Sequence, residues 1–253
     1  DVDVMGPRVR VEAALAALRA DGWELVARRP DRPIAELQRV RHSVLLHRDA
    51  DQLYLHWDAF TESLGTDLAD RLWDAADELT IDARRTQTLA PSDHLLHAFV
   101  HGLRYNPVPP LRWVADAHVT IRAAGDAVDW DRLSALAEAY RLVAPVSAAL
   151  GYLDDRFPGL VPREVVQHVR GLPVMRDEQR AFELVTREHW FLGSGGVLWR
   201  AHRRRDPDAG IVRSVIGFLD DLRILYDLDH VGELPGRVLD GVSRRRRHDR
   251  QAA

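Results

Sequence analysis

The chain has 253 residues, with 35 basic against 39 acidic side chains and a net charge of −4. With 46% hydrophobic and 29% charged residues it has a globular composition, and it holds no run of the roughly 18 apolar residues that a membrane helix requires. Cysteine and lysine are both absent, which excludes disulfides, iron–sulfur and thiolate zinc sites, cysteine nucleophiles, Schiff bases and a P-loop lysine.

The first sixty residues alternate between strand and helix signals. Asp1 to Met5 has period two and reads as a strand, punctuated by Gly6-Pro7. Val11, Ala14, Leu15 and Leu18 recur at helical spacing up to Gly22. Trp23 to Val26 reads as a short strand, and the stretch from Arg28 to Arg39, with two prolines, as a loop. Ser43 to His47 and Gln52 to Trp57 are two further strands joined through a polar turn at 48–51. Beyond residue 60 the spacing becomes helical. Glu62 to Arg85 is mixed, with leucines at 64, 68, 72 and 79. Four helices are expected at 94–105, 111–122, 130–140 and 144–157, the first capped by Ser92 or Asp93, with a proline-rich loop at 106–110. Helices are also expected at 177–191 and 211–226, separated by a break at Gly193-Ser194-Gly195-Gly196. The arginine-rich tail at 241–253 has no apolar partner and is expected to be disordered.

Three groups carry candidate chemistry. Asp1 and Asp3 share one face of a strand, roughly 6.5–7 Å apart along the backbone. Two carboxylates so placed can chelate Mg²⁺ together with triphosphate oxygens, or can simply be solvated at a terminus. His94, His97 and His101 fall on one helix face, within about 60° of one another. They suit a packed hydrogen-bonded face, contacts to a substrate phosphate, or a transition metal. Arg112 and Asp116 are spaced as a helix ion pair beside an apolar Trp113, and Arg112 could instead clamp a phosphate or carboxylate. The glycine-rich 193–196 segment reads as a loop and could at most cradle a phosphate.

Four segments, in order, resemble a family of uncharacterised nucleotidyltransferases in the polymerase-beta-like superfamily. They are Asp-Val-Asp-Val at 1–4 with a helix ending Leu-Arg-Ala-Asp-Gly-Trp at 18–23, and Leu-Tyr-Leu-His-Trp at 53–57. They continue with Leu-Ala-Pro-Ser-Asp-His-Leu-Leu-His-Ala-Phe-Val-His-Gly at 89–102, and Pro-Leu-Arg-Trp-Val-Ala-Asp at 110–116 followed by Asp129-Trp130. The resemblance covers residues 1–157. It implies an α+β fold: the small mixed sheet of a partial nucleotidyltransferase palm at 1–60, then a mainly helical domain at 61–240.

The activity it implies is Mg²⁺-dependent transfer of a nucleotidyl group from a nucleoside triphosphate to an acceptor, a small molecule or a protein. Asp1 and Asp3 would be the metal-binding catalytic carboxylates. His56, His94, His97, His101 and Arg112 would lie on the substrate side. The alternative is a degenerate, non-catalytic nucleotide- or protein-binding module. Two departures favour it. Tyr54 stands where similar sequences carry a third carboxylate, and neither Asp51 nor Asp58 is an easy replacement. The superfamily's glycine-containing phosphate loop would precede Asp1, so it is either encoded upstream or lacking. A cytoplasmic protein without a membrane partner is expected, and its acidic balance argues against nucleic acid as the main partner.

Overall fold

The computed structural model describes residues 2–104, 111–186 and 190–237, of which 190–194 only as backbone. The expectations placed on Asp1, on the 106–110 loop and on the 241–253 tail lie outside these residues. The fold is α+β, and the chain divides into two compact units, residues 1–65 with 198–253, and residues 66–197.

The first unit opens with β1 (Val2–Met5), α1 (Val11–Ala20), β2 (Glu24–Leu25), a one-turn α2 (Ile34–Leu37), β3 (Ser43–Arg48) and β4 (Asp51–His56). They form a sheet of order β1-β4-β3-β2, with β1 parallel to β4 and the other pairs antiparallel. The β3–β4 turn closes through Asp49 at φ 53°, a conformation Asp tolerates better than most residues. α1 ends where Gly22 takes φ 85°, open to glycine without a steric penalty. Pro33 starts α2 inside the stretch expected to be a loop, its fixed φ suiting the residue before a helix. Val44, Leu46 and Leu55 pack with Val11 and Leu15 of α1 and with Leu37, Val40 and Trp57 in one core cluster.

The second unit begins with α3 (Leu68–Asp74) and a hairpin of β5 (Asp77–Ile81) and β6 (Arg84–Thr88). Sequence periodicity does not reveal this hairpin, because all ten strand residues are exposed and no buried alternation marks them. Six helices follow: α4 (Pro91–Gly102), α5 (Arg112–Ala124), α6 (Trp130–Ala139), α7 (Val143–Arg156), α8 (Arg163–Gly171) and α9 (Arg176–Val185). α4 starts at Pro91 after Ala90, not at a Ser92 or Asp93 cap. Proline at the first helical position gives up only an amide that would have lacked a helical partner. That leaves Ser92 and Asp93 buried inside the first turn. α4 packs against α5, α6 and α7, and α7 also packs on α8 and α9. Leu95, Leu96, Phe99, Leu133, Val146 and Leu150 are buried there. The amide of Ala144, at the start of α7, donates to the buried Glu178 of α9 at 2.8 Å, which satisfies one of its free helix-terminal donors.

α10 (Trp190–Arg205) and α11 (Ile211–Leu225) complete the described elements. The expected break at 193–196 is absent: α10 runs through all four residues. Amides inside a helix bond to carbonyls one turn back, so this segment is not the phosphate-cradling loop considered above. The expected single helical domain at 61–240 also differs from the observed grouping. The last helix packs in the sheet unit, with Ile224 of α11 inside the α1–sheet core cluster.

Arginines explain that attachment. Asp227, just past α11 at φ 57°, accepts from the Arg29 amide at 3.0 Å and from Arg32 Nε at 3.4 Å. Arg39 donates to the buried Asp221 at 2.6 Å, and Arg41 to the Leu225 carbonyl at 2.7 Å. Burial lowers the Arg41 pKa, with Asp227 acting against that shift. Asp221 also accepts from His202 Nδ1 at 2.7 Å and from Arg205. No described helix is long and apolar enough to cross a membrane.

Candidate functional site

The parallel pairing of β1 with β4 sets Asp3 opposite Tyr54 and Met5 opposite His56. Strand alternation puts these four side chains on one face, while Val4 and Leu55 share the face turned to the core. His56 Nε2 donates to Asp3 Oδ1 at 2.9 Å. The imidazole is mostly covered, at 16% exposure, while the carboxylate stands 71% exposed. Asp3 is thus held from one side and open from the other. The His56 ring lies 6.3 Å from the Tyr54 ring and 5.4 Å from the His42 ring. Thr61 Oγ1 lies 3.2 Å from His42 Nδ1. The face therefore gathers one carboxylate, two imidazoles, a phenol and a hydroxyl. His42 and Thr61 were not legible as members of the group, because each precedes or follows its strand with no motif to mark it.

Asp58 does not extend this row. β4 ends at His56, and the amides of Trp57 and Asp58 turn back to the His42 carbonyl at 2.9 and 3.3 Å. The Asp58 side chain is buried and paired with Arg8 at 3.3 Å. Asp51 begins β4 opposite Arg48, at the far end of the hairpin from Asp3.

The remaining candidates sit in the helical unit. His94 Nδ1 lies 2.9 Å from Thr120 Oγ1 on α5. His97 and His101 stack on each other, ring centres 5.5 Å apart and planes 12° from parallel. Among the described residues no group of three His, Asp or Glu side chains could hold a metal. Arg112 is exposed at the first residue of α5, and no ion pair joins it to Asp116. Trp113 is buried, edge-on to Phe99 at 6.2 Å.

The same helical segments hold a polar network that sequence reasoning missed. Asp93 is fully buried and accepts two bonds from Arg132, at 2.8 and 2.9 Å. Arg132 also donates to the Arg71 carbonyl at 2.9 Å, and that pairing with Asp93 raises its pKa. Asp129 caps α6 by accepting from the Arg132 amide at 2.8 Å. On the exposed side Tyr140 donates to Asp67 at 2.7 Å and Arg71 pairs with it at 3.2 Å. The hydrogen bond from Tyr140, then that from Arg71, lowers the Asp67 pKa, while burial and the Asp67 charge raise that of Tyr140. Gly102 ends α4 against Trp113: a Cβ built there would fall 2.2 Å from the Trp113 Cβ. Aspartate, arginine and glycine in these motifs therefore hold helices together.

A centre of two Mg²⁺ ions held by three carboxylates does not fit the described face. Tyr54 faces Asp3 where the third carboxylate would stand, and a neutral phenol is a poor Mg²⁺ ligand. One Mg²⁺ held by one or two carboxylates and by substrate phosphates does fit, because Mg²⁺ commonly binds in this way. Asp3 offers one free oxygen for it.

Residues 1–158 match the family model described as uncharacterised nucleotidyltransferase. No curated protein and no solved structure matches the chain.

Proposed function

The chain belongs to this family of uncharacterised nucleotidyltransferases, and from that premise we propose that it transfers a nucleotidyl group from a nucleoside triphosphate to an acceptor, in a Mg²⁺-dependent reaction, on the open face of β1 and β4. The observation that carries the reading is Asp3, exposed on a parallel strand pair and fixed by His56 at 2.9 Å. In the transfer, an acceptor oxygen bonds to the α-phosphorus, the bond to the bridging oxygen breaks, and pyrophosphate leaves. The acceptor proton passes to solvent or to a base. Mg²⁺ bound with the triphosphate would supply charge neutralisation at the phosphates. Asp3, with Asp1, would hold it. His56 restricts the Asp3 carboxylate to one orientation, which reduces the ordering cost of binding. His94, His97, His101 and Arg112 remain substrate-side candidates in this reading, and the acceptor is a small molecule or a protein. A cytoplasmic location belongs to the same proposal.

Tyr54 favours a second reading, in which the face binds a nucleotide without transferring it. The two readings separate in a calorimetric titration of Mg²⁺–ATP and the other nucleoside triphosphates, followed by an assay for pyrophosphate. Binding that Asp3→Ala abolishes, with pyrophosphate released, supports transfer. Binding without pyrophosphate from any acceptor mixture supports the second reading. Absence of binding by any triphosphate with Mg²⁺ or Mn²⁺ would sink both.

A further inference from the structure

We propose that the outward face of α11 is a docking surface for a second copy of this chain, the two α11 helices lying antiparallel. α11 is apolar on two sides. Its inner side buries Ser214, Asp221 and Ile224, and sets Phe218 and Leu222 against Leu64, Leu198 and Ala201. At about 100° per residue, Ile211, Val212, Val215, Ile216 and Leu219 form an arc on the opposite side. Ile211 is 68% exposed, Val212 70% and Ile216 65%. With Gly210 and Arg213, three of these side chains line a shallow groove at the start of the helix. A contiguous apolar patch of this kind on a soluble surface marks an interaction site.

The charges beside the stripe select the occupant. Arg213 and Asp220 lie seven residues apart on the same flank, about 20° apart around the axis. A second copy laid end for end brings Arg213 opposite the second copy's Asp220, and symmetry makes that pair twice. The same operation centres the pair between residues 216 and 217, which brings Ile216 next to the second copy's Ile216 and Val215 next to its Leu219. A parallel pair would instead oppose Arg213 to itself. Arg213 is 82% exposed and only 3.7 Å from Asp206, so it is loosely held. Asp220 is 40% exposed and already pairs with Arg223 at 2.8 Å and Arg39 at 3.5 Å, so the second copy's Arg213 joins its carboxylate as a further partner. One helix face is a small interface, so the dimer is weak, with a dissociation constant on the order of 10 μM.

Sedimentation velocity on the full chain across concentrations from about 1 to about 200 μM tests this. The wild type should shift from monomer to dimer. Ile216→Glu places a charge in the stripe without touching the core, and should weaken dimerisation by about tenfold or more. Arg213→Asp and Asp220→Arg should each weaken it, and the double variant should recover most of the loss. A wild type that stays monomeric throughout overturns the proposal. So does a dimer indifferent to Ile216→Glu, or a double variant no tighter than the single ones.

Discussion

Removing the Asp93 carboxylate should unfold the helical unit far more readily than its small size suggests. Its side chain is fully buried and takes two charge-assisted bonds from Arg132, at 2.8 and 2.9 Å. Bonds of this kind contribute roughly 1.5–3 kcal/mol each, and breaking a fully buried pair costs about 3–5 kcal/mol. Arg132 is 27% exposed, so in Asp93→Ala part of its charge regains water. The expected loss is therefore about 2–4 kcal/mol, somewhat below the fully buried range. Urea unfolding followed by helical circular dichroism gives the number, and Arg132→Met completes a double-mutant cycle. The coupling should come to about 2 kcal/mol. A coupling under about 0.5 kcal/mol would mean that Asp93 and Arg132 are held by their surroundings, not by each other.

Three further outcomes follow from the same geometry. Gly102→Ala should destabilise by about 1–3 kcal/mol, visible as a lower urea midpoint, because its methyl would overlap the Trp113 side chain. Tyr140→Phe should cost under about 1 kcal/mol near neutrality, since the Asp67 pair is largely exposed. Its pH dependence is the sharper readout. Asp67 has a lowered folded pKa, so its contribution is present above its ordinary value of about 4 and fades as pH falls through the folded one. Tyr140 has a raised folded pKa, so its contribution is present below about 10 and fades as pH rises through the folded one. Stability curves of wild type and Tyr140→Phe should therefore converge at both extremes. Asp227→Ala should cost about 2 kcal/mol, measured by thermal melting, by stripping Arg32, whose side chain is 4% exposed, of one of its two carboxylates.

Elements whose apolar residues face a core were legible in the sequence. Val11, Leu15, Val44, Leu46 and Leu55 recur at the periods of the helix and strands they occupy, and all are buried together. The 77–88 hairpin was not legible, because its side chains are all in water and its turn, Asp82-Ala83, takes positive φ without glycine. Gly193 to Gly196 misled because helix propensity is a weak prior that neighbouring structure overrides. At the site, strand alternation put Tyr54 and His56 on one face of their strand, but setting that face beside Asp3 took the family resemblance, because nothing local marks the parallel pairing of β1 with β4. Arg8 with Asp58, and Asp93 with Arg132, could not be paired, since partners 50 and 39 residues apart leave no local spacing to read. The arginines that fasten α11 reach across more than 180 residues, so the division of the chain into units was hidden in the same way.

The proposed role of Asp3 is to serve transfer of a nucleotidyl group. The direct measurement is transfer of label from α-³²P nucleoside triphosphates, with Mg²⁺, into acceptors of fractionated cell extract, comparing wild type with Asp3→Asn. The substitution keeps the side chain's shape and removes its charge. Labelled product is expected with the wild type, and a loss of about a hundredfold or more with Asp3→Asn, while circular dichroism stays unchanged. Equal labelling by the two proteins would rule out that role for Asp3.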